Sequence, residues 1–232
     1  MQVDDNKLKE ILHILYNTYP DAVCQLNHSN EFELLIAVSL SAQTTDKSVN
    51  KISPILFEKY KTPLELANAN ISDVENILKP IGMYRTKAKN IINLAKALVN
   101  DFDSVVPNDY DSLVSLPGVG RKTANVVLSV AFNVPRIAVD THVFRVSNRI
   151  GITEEKDVLK TEERLMERIP KEDWIKTHHT LIFHGRNICD AKNPKCSICP
   201  IIDLCQKKME LVKGIEPPTC ALRRRCSAIE PH

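Results

Sequence analysis

The feature that most constrains this fold is a pair of glycines in one short turn. Gly118 and Gly120, two of only six glycines in the chain, lie in the segment Leu116-Pro-Gly-Val-Gly-Arg-Lys122. Pro117 ends any preceding helix, while glycine allows a positive φ and the close approach of another backbone. Valines at helical spacing then follow between positions 126 and 130. The segment is therefore predicted to be a tight turn between two helices.

The second of these helices is predicted to begin at Arg121 and Lys122. The first amides of a helix have no partner within it, and its dipole is positive at this end, so the position favours a bound phosphate. The turn by itself is equally consistent with a plain corner between helices, with the lysine extended into water.

Apolar residues recur at helical spacing along nearly the whole chain, and no segment alternates with period two. We therefore predict an all-α fold. The predicted helices begin at Asp4 or Asp5, at Phe32 and at Asp46 as a cap, and then cover residues 71–78, 87–99, 109–116, 141–150, 158–169 and 174–183. Residues 209–232 contain Pro-Pro and three consecutive arginines without periodicity, and we expect a disordered basic tail.

Composition excludes some classes of protein. With 43% hydrophobic residues, 232 residues can bury one sizeable core or two smaller ones. No apolar run approaches 18 residues, and the acidic N-terminus lacks the pattern of a signal peptide, so we expect a cytoplasmic protein. Residues 207–232 hold six Lys and Arg against three Glu, which leaves a net charge of −1 on the rest of the chain. Any nucleic acid would therefore need a local basic face.

Four of the seven cysteines fall in the pattern Cys189-x6-Cys196-x2-Cys199-x5-Cys205. An odd total with four members crowded together favours a metal centre in a reducing compartment over disulfides. Structural zinc sites usually use two close pairs, whereas iron–sulfur clusters are held by four thiolates. The spacing of the cysteines alone is compatible with either a zinc ion or an iron–sulfur cluster. The other three cysteines, Cys24, Cys220 and Cys226, lie outside the pattern and are assigned no ligand role.

Two segments resemble motifs of the endonuclease III family. The Leu116–Lys122 turn resembles the family's helix-hairpin-helix. The segment Val139-Asp-Thr-His142, with Asp140 eighteen residues after the lysine, resembles the segment with the family's catalytic aspartate. Members of that family are DNA glycosylases and AP lyases of base excision repair. The resemblance extends to about residue 208, and the cysteine spacing matches the family's [4Fe-4S] loop. It implies a monomer with a helix-hairpin-helix glycosylase fold. A six-helix domain would cover 24–134, a cluster domain would combine 1–23 with 135–208, and DNA would enter the cleft between them.

The resemblance also implies site residues. Lys122 would be the amine nucleophile that forms a Schiff base at C1′ of the sugar, and Asp140 its carboxylate partner. By position alone Asp140 is also a good N-cap for the helix at Thr141. Gln43 would fill the space left by the extruded nucleotide, and Met83, where the family more often has leucine, would wedge the opposite strand. Further contacts to DNA are expected from Gly118, Val119, Gly120, Arg121, Lys192 and Lys195.

The implied activity is removal of oxidised pyrimidines from duplex DNA, followed by β-elimination 3′ to the abasic site. The alternative function is that of a non-catalytic hairpin module that binds DNA phosphates. Such a module needs neither Lys122 nor Asp140. Mismatch glycosylases of the same superfamily usually lack this lysine. The cluster is interpreted as structural, with a redox role left open. Four histidines are predicted either to line a pocket or to be structural: His142, His178, His179 and His184.

Overall fold

The computed structural model describes residues 2–207, and within that range it contains eleven α-helices and no strand. The prediction of an all-α fold is confirmed, whereas the predicted tail at 209–232 lies outside the described residues. The helices are α1 Asp5–Thr18, α2 Glu31–Leu40, α3 Asp46–Lys59, α4 Pro63–Ala67, α5 Ile71–Leu78, α6 Tyr84–Asp101, α7 Tyr110–Ser115, α8 Arg121–Ala131, α9 Thr141–Ile150, α10 Val158–Arg168 and α11 Trp174–Asn187.

Most of these helices begin at a residue whose side chain caps the first turn. An oxygen of the capping residue accepts a backbone N–H from two or three residues ahead, which satisfies an amide that the helix leaves free. Thr45, not Asp46, caps α3, and Asp46 lies in the first turn. The capping residues are Asp4, Asn30, Thr45, Thr62, Asn70, Asp109, Asp140 and Asp157.

Two helices extend by several residues beyond their predicted bounds, whereas α7 differs from its prediction by one residue at each end and α10 by one residue at its C-terminal end. α6 begins three residues early, at Tyr84, because Met83 takes up a left-handed conformation (φ 56°) and turns the chain into the helix without a side-chain cap. α11 continues through Gly185 to Asn187, four residues beyond its predicted end. Gly185 serves packing here, since a Cβ at this position would lie 3.0 Å from the side chain of Val146 on α9. Its lack of a side chain therefore lets α9 and α11 approach closely.

The buried apolar side chains form two clusters. One spans positions 26 to 138 and is built from α2 to α8 with their connections. The other combines Val3 and the buried face of α1 with residues between Ile137 and Ile201. The chain passes from one cluster to the other at Ile137, Ala138 and Val139, directly before Asp140. The division into domains 24–134 and 1–23 with 135–208 remains a proposal, which this pairing of the N-terminal helix with the C-terminal half supports.

Candidate active site and cluster loop

The predicted turn lies between α7 and α8. Gly118 has a φ of +80°, and the amide of Val119 donates to the carbonyl of Leu116 at 3.1 Å. Gly120 is the N-cap of α8 and offers no side chain to the first amides of the helix. A Cβ at Gly120 would meet no atom within 4 Å. The helix thus presents unpaired amides to open space, which is the geometry that binds a phosphate.

Lys122 lies in the first turn of α8 and is exposed. Within residues 2–207, no hydrogen bond or ion pair engages its amine, and the side chain lines two adjoining cavities together with Asp140. Asp140 is half-buried, and its Oδ1 accepts the amide of Val143 at 2.7 Å as the N-cap of α9. Capping therefore occupies one carboxylate oxygen and fixes the orientation of the group. The second oxygen has no protein partner among the described residues.

The two cavities differ in shape. One is an open groove of about 860 Å³ that is lined by the segment 43–47, by Lys122 and by the start of α9. The other is a narrow recess of about 70 Å³ between the segment 23–26 and the face of α11 that carries His178 and His179. Because Lys122 and Asp140 border both, one site can accept an extended strand in the groove and a single flat group in the recess.

Of the two residues predicted to enter the DNA, only Gln43 lines this groove. Gln43 has a left-handed backbone (φ 52°). Met83 borders neither cavity and remains 51% exposed, which leaves an apolar side chain directed at solvent on a strained turn. Val119 is only 6% exposed and packs in the first apolar cluster, so DNA could meet only its backbone.

The histidines of the recess are uncharged at neutral pH. Burial lowers the pKa of His178 to about 3 and that of His179 to about 4. Nδ1 of His178 has no hydrogen-bond partner in the part of the chain that the structure describes. His142, nearer the groove, receives a hydrogen bond from Arg145 at 3.1 Å, and burial also lowers its pKa. The recess therefore offers neutral rings to a ligand, and neither His178 nor His179 is a source of protons near pH 7.

A buried network that sequence reasoning missed supports the start of α8. Arg121 donates from Nε and Nη2 to the two carboxylate oxygens of Glu162 at 3.1 and 2.8 Å. Asn125 donates to the same carboxylate at 3.1 Å and to the carbonyl of Ile137 at 3.3 Å. Glu162 is buried on α10, so the network joins the hairpin helix to the second apolar cluster. A contact between Arg121 and DNA remains a prediction, and with this guanidinium occupied it would use the backbone amide.

A second ion pair that sequence reasoning missed spans the groove. Nη2 of Arg186, near the end of α11, lies 2.7 Å from Oδ2 of Asp46 at the start of α3. Both residues border both cavities. Their separation of 140 positions leaves no local signal in the sequence. The pair ties the two walls of the cleft together beside Lys122.

The four predicted cluster ligands line one small cavity that also contacts Arg149, Ile150 and His184. Within residues 2–207, no three potential ligands are close enough to hold a single metal ion. A four-iron cluster bonds each thiolate to a different iron, so its ligands stand farther apart than those of one zinc ion. Four thiols around a shared cavity fit that arrangement, and the wrapped loop suits a cluster better than zinc.

Two arginines of α9 hold the cluster loop. Arg149 donates to the carbonyls of Asp190 and Ala191 at 2.5 and 2.7 Å, and its Nη1 lies 3.7 Å from Sγ of Cys189. Arg145 donates to the carbonyl of Cys189 at 3.1 Å. The side chains of Lys192 and Lys195, on the same loop, are exposed to solvent. Cys24 borders the recess, far from this loop in the chain, and joins no ligand group.

Residues 36–171 match the family model of the HhH-GPD superfamily base excision DNA repair proteins, and residues 189–205 match the iron–sulfur binding domain of endonuclease III. The chain is 55% identical to endonuclease III of Bacillus subtilis over 82% of its length and 87% of that protein. It is 47% identical to endonuclease III of Escherichia coli over 88% of its length and 97% of that protein.

Solved structures of endonuclease III bound to DNA are similar to this chain as well. A non-covalent endonuclease III–DNA complex aligns with a TM-score of 0.87 and 47% identity, covering 91% of this chain and all of that one. A trapped endonuclease III–DNA covalent intermediate aligns at 0.85 with 50% identity, covering 88% and 97%. The cysteine loop and these relatives together identify the bound group as a [4Fe-4S] cluster. The chain belongs to the endonuclease III family of helix-hairpin-helix base excision DNA repair enzymes.

Proposed function

We propose that this DNA glycosylase and AP lyase carries out both of its reactions with Lys122 as nucleophile and Asp140 as its carboxylate partner. The supporting observation is their position, since the amine and the carboxylate border the same groove and the same recess. DNA would occupy the groove, and the damaged base, rotated out of the duplex, would enter the recess between the segment 23–26 and α11.

Attack by the Lys122 amine on C1′ forms a carbon–nitrogen bond while the bond from C1′ to the base breaks. The base leaves with the electron pair and takes up a proton. The sugar ring then opens: the C1′–O4′ bond breaks, O4′ takes up a proton, and the nitrogen lone pair forms the iminium at C1′. The iminium acidifies C2′, and loss of a C2′ proton expels the 3′ phosphate, which cuts the strand 3′ to the abasic site. Water then hydrolyses the imine and releases the lysine.

The amine must lose a proton before it can attack, because lysine is protonated at neutral pH. A helix N-terminus disfavours the ammonium by only about 0.3–1 kcal/mol, so the dipole of α8 is insufficient alone. Among the described residues, no hydrogen bond or ion pair holds the Lys122 amine, and bound DNA would strip water from its exposed side chain. The second carboxylate oxygen of Asp140, which borders the same groove and recess, would accept this proton, and its charge would stabilise the cation that develops on the sugar.

Positioning of the DNA would rest on the hairpin. The amides of Gly118, Gly120 and Arg121 would bind a phosphate at the turn, which the hydrogen bond from the amide of Val119 to Leu116 shapes. Lys192 and Lys195 on the cluster loop would contact another phosphate. Gln43 would enter the space vacated by the extruded nucleotide, and Met83 would press on the opposite strand. When bound, the cluster would stabilise the fold of this loop.

We further propose that the enzyme acts as a monomer on chromosomal DNA in the cytoplasm.

Oxidised pyrimidines are the proposed substrates. A test uses duplex oligonucleotides that each carry one change: a ring-saturated thymine, an abasic site, a G·T mismatch or adenine opposite oxidised guanine. We expect release and cutting at the first two, with the unsaturated sugar end left by β-elimination. Cutting confined to either mismatch would contradict the lesion class, and tight binding without cutting would favour the hairpin-module interpretation.

Matched variants assign the chemistry. Lys122→Gln keeps a polar chain of similar reach, and should abolish cutting of abasic DNA while leaving binding nearly unchanged. Lys96→Gln removes an exposed lysine from α6 and should behave as the unaltered enzyme. Equal activity in the two variants would show that another amine is the nucleophile.

A further inference from the structure

Three side chains connect the N-terminal helix to the cluster loop. The hydroxyl of Tyr19, the residue that follows α1, lies 3.2 Å from Nδ1 of His184 on α11. Nε2 on the opposite side of that imidazole lies 3.7 Å from Sγ of Cys199. The ring therefore bridges a tyrosine hydroxyl and the sulfur of a cluster ligand.

Cluster chemistry fixes which atom carries the proton. Cys199 binds iron as a thiolate, so its sulfur has no proton and can only accept. Nε2 must then carry the N–H, which leaves Nδ1 as a lone pair. Tyr19 consequently donates its hydroxyl proton to Nδ1. The direction of both hydrogen bonds follows from the cofactor, and the tyrosine selects the tautomer that donates to the sulfur.

The ring has little freedom to adopt another arrangement. His184 is fully buried, and its carbonyl accepts the amides of Ile188 and Cys189 at 3.0 and 2.8 Å. The ring of Tyr19 packs edge-on against the imidazole, with centroids 5.9 Å apart. The same residue thus anchors the start of the cluster loop through its backbone and contacts the third ligand through its side chain.

We propose that Tyr19 and His184 form a positioning pair that orients Cys199 and raises the one-electron reduction potential of the cluster. Reduction adds a negative charge to the cluster and its thiolates, and an N–H directed at a ligand sulfur stabilises that charge. In the test reaction, one electron passes from a reduced viologen dye to the cluster, and no bond is formed or broken. The proposal concerns the cofactor site alone, so failure of the lyase mechanism at Lys122 would not affect it.

Tyr19→Phe is the decisive change, because it keeps the aromatic packing and removes only the proton that selects the tautomer. Iron content and visible absorption should remain as in the unaltered protein, while the reduction potential in a mediated optical titration should shift to a more negative value. His184→Phe should shift it at least as far, and Tyr19→Phe should add nothing in that background. His184→Gln, whose amide can still donate toward the sulfur, should recover part of the shift.

Tyr16→Phe provides the matched control. Tyr16 also joins α1 to α11, through a 2.6 Å hydrogen bond to Thr177, and within residues 2–207 it forms no hydrogen bond to His184 or to a cysteine. Its loss should leave the potential unchanged. An unchanged potential in Tyr19→Phe would overturn the proposal. So would an equal shift in Tyr16→Phe, since general loosening between α1 and α11 would then explain the effect.

Discussion

Removal of the Arg121 side chain tests whether the buried network beneath the hairpin holds Lys122 in place. In Arg121→Ala, Glu162 keeps the hydrogen bond from Asn125 but loses both bonds from the guanidinium. The carboxylate is 4% exposed and would be left without a cation. Because the chain passes between the two apolar clusters nearby, the change should weaken the attachment of α8 to α10.

The size of the effect follows from burial. Breaking a fully buried ion pair costs about 3–5 kcal/mol, because one charge stays behind without compensation. Here the Arg121 side chain is 47% exposed, so water can approach from that side and reduce the penalty. We expect a loss of about 2–3 kcal/mol. For a chain of this size that corresponds to a fall in melting temperature of roughly 4–12 °C.

Circular dichroism melts under anaerobic conditions at one scan rate, with iron content checked, measure this loss. Strand cleavage of abasic DNA should fall as well, since the start of α8 positions Lys122. Arg164→Ala is the control: this arginine, on α10 like Glu162, pairs with Glu155 and Glu167 at the surface, so its loss should cost below about 1 kcal/mol. Equal melting temperatures for Arg121→Ala and Arg164→Ala would refute the role given to the network.

Gly151→Ala should lower thermal stability by at least about 1 kcal/mol and speed iron loss, because φ is +90° and the new Cβ would lie 2.3 Å from the side chain of Gln206; unchanged melting and iron retention would contradict this. Acid should destabilise the folded protein. Burial lowers the pKa of His178 to about 3 and that of His179 to about 4 in the folded state. Because an unfolded histidine has a pKa of about 6.5, the unfolded chain binds more protons than the folded chain below that pH. The urea midpoint should therefore fall between pH 6.5 and 4, less steeply in His179→Gln. Purified protein should be brown with about four irons per chain; zinc without iron after anaerobic purification would contradict the cluster.

Local signals in the sequence predicted much of the fold and part of the site. The starts of α8 and α9 follow from the glycine turn and from the capping carboxylate of Asp140, both readable within a few residues. The short α4 was not predicted, although Thr62 and Glu65 form a capping box. The early start of α6 depends on a left-handed methionine, which no propensity indicates. Gly185 lies inside α11, beyond the predicted end at 183, where its lack of a side chain allows α9 and α11 to approach each other.

Long-range partners could not be read from the chain. Glu162 pairs with Arg121 across 41 positions, and Arg186 pairs with Asp46 across 140. Both acidic residues have ordinary local explanations, one as part of a charged helix and the other as a cap. Their ion pairs form only because the tertiary fold brings distant segments of the chain together. The roles of Lys122, Asp140 and the four cysteines were inferred from the family resemblance, because the residue types alone left a helix corner and a zinc site open.

Trapping of the covalent intermediate tests most directly whether the amine of Lys122 becomes joined to DNA. Borohydride added during turnover reduces the imine and should trap a stable protein–DNA adduct on duplex that carries an abasic site, with the modified peptide containing Lys122. Lys122→Gln should give no adduct, and Lys96→Gln should give the full amount. Asp140→Asn, which retains most of the capping geometry, should fold normally and trap far more slowly. Undiminished trapping in Lys122→Gln, or an adduct mapped to another residue, would contradict the account.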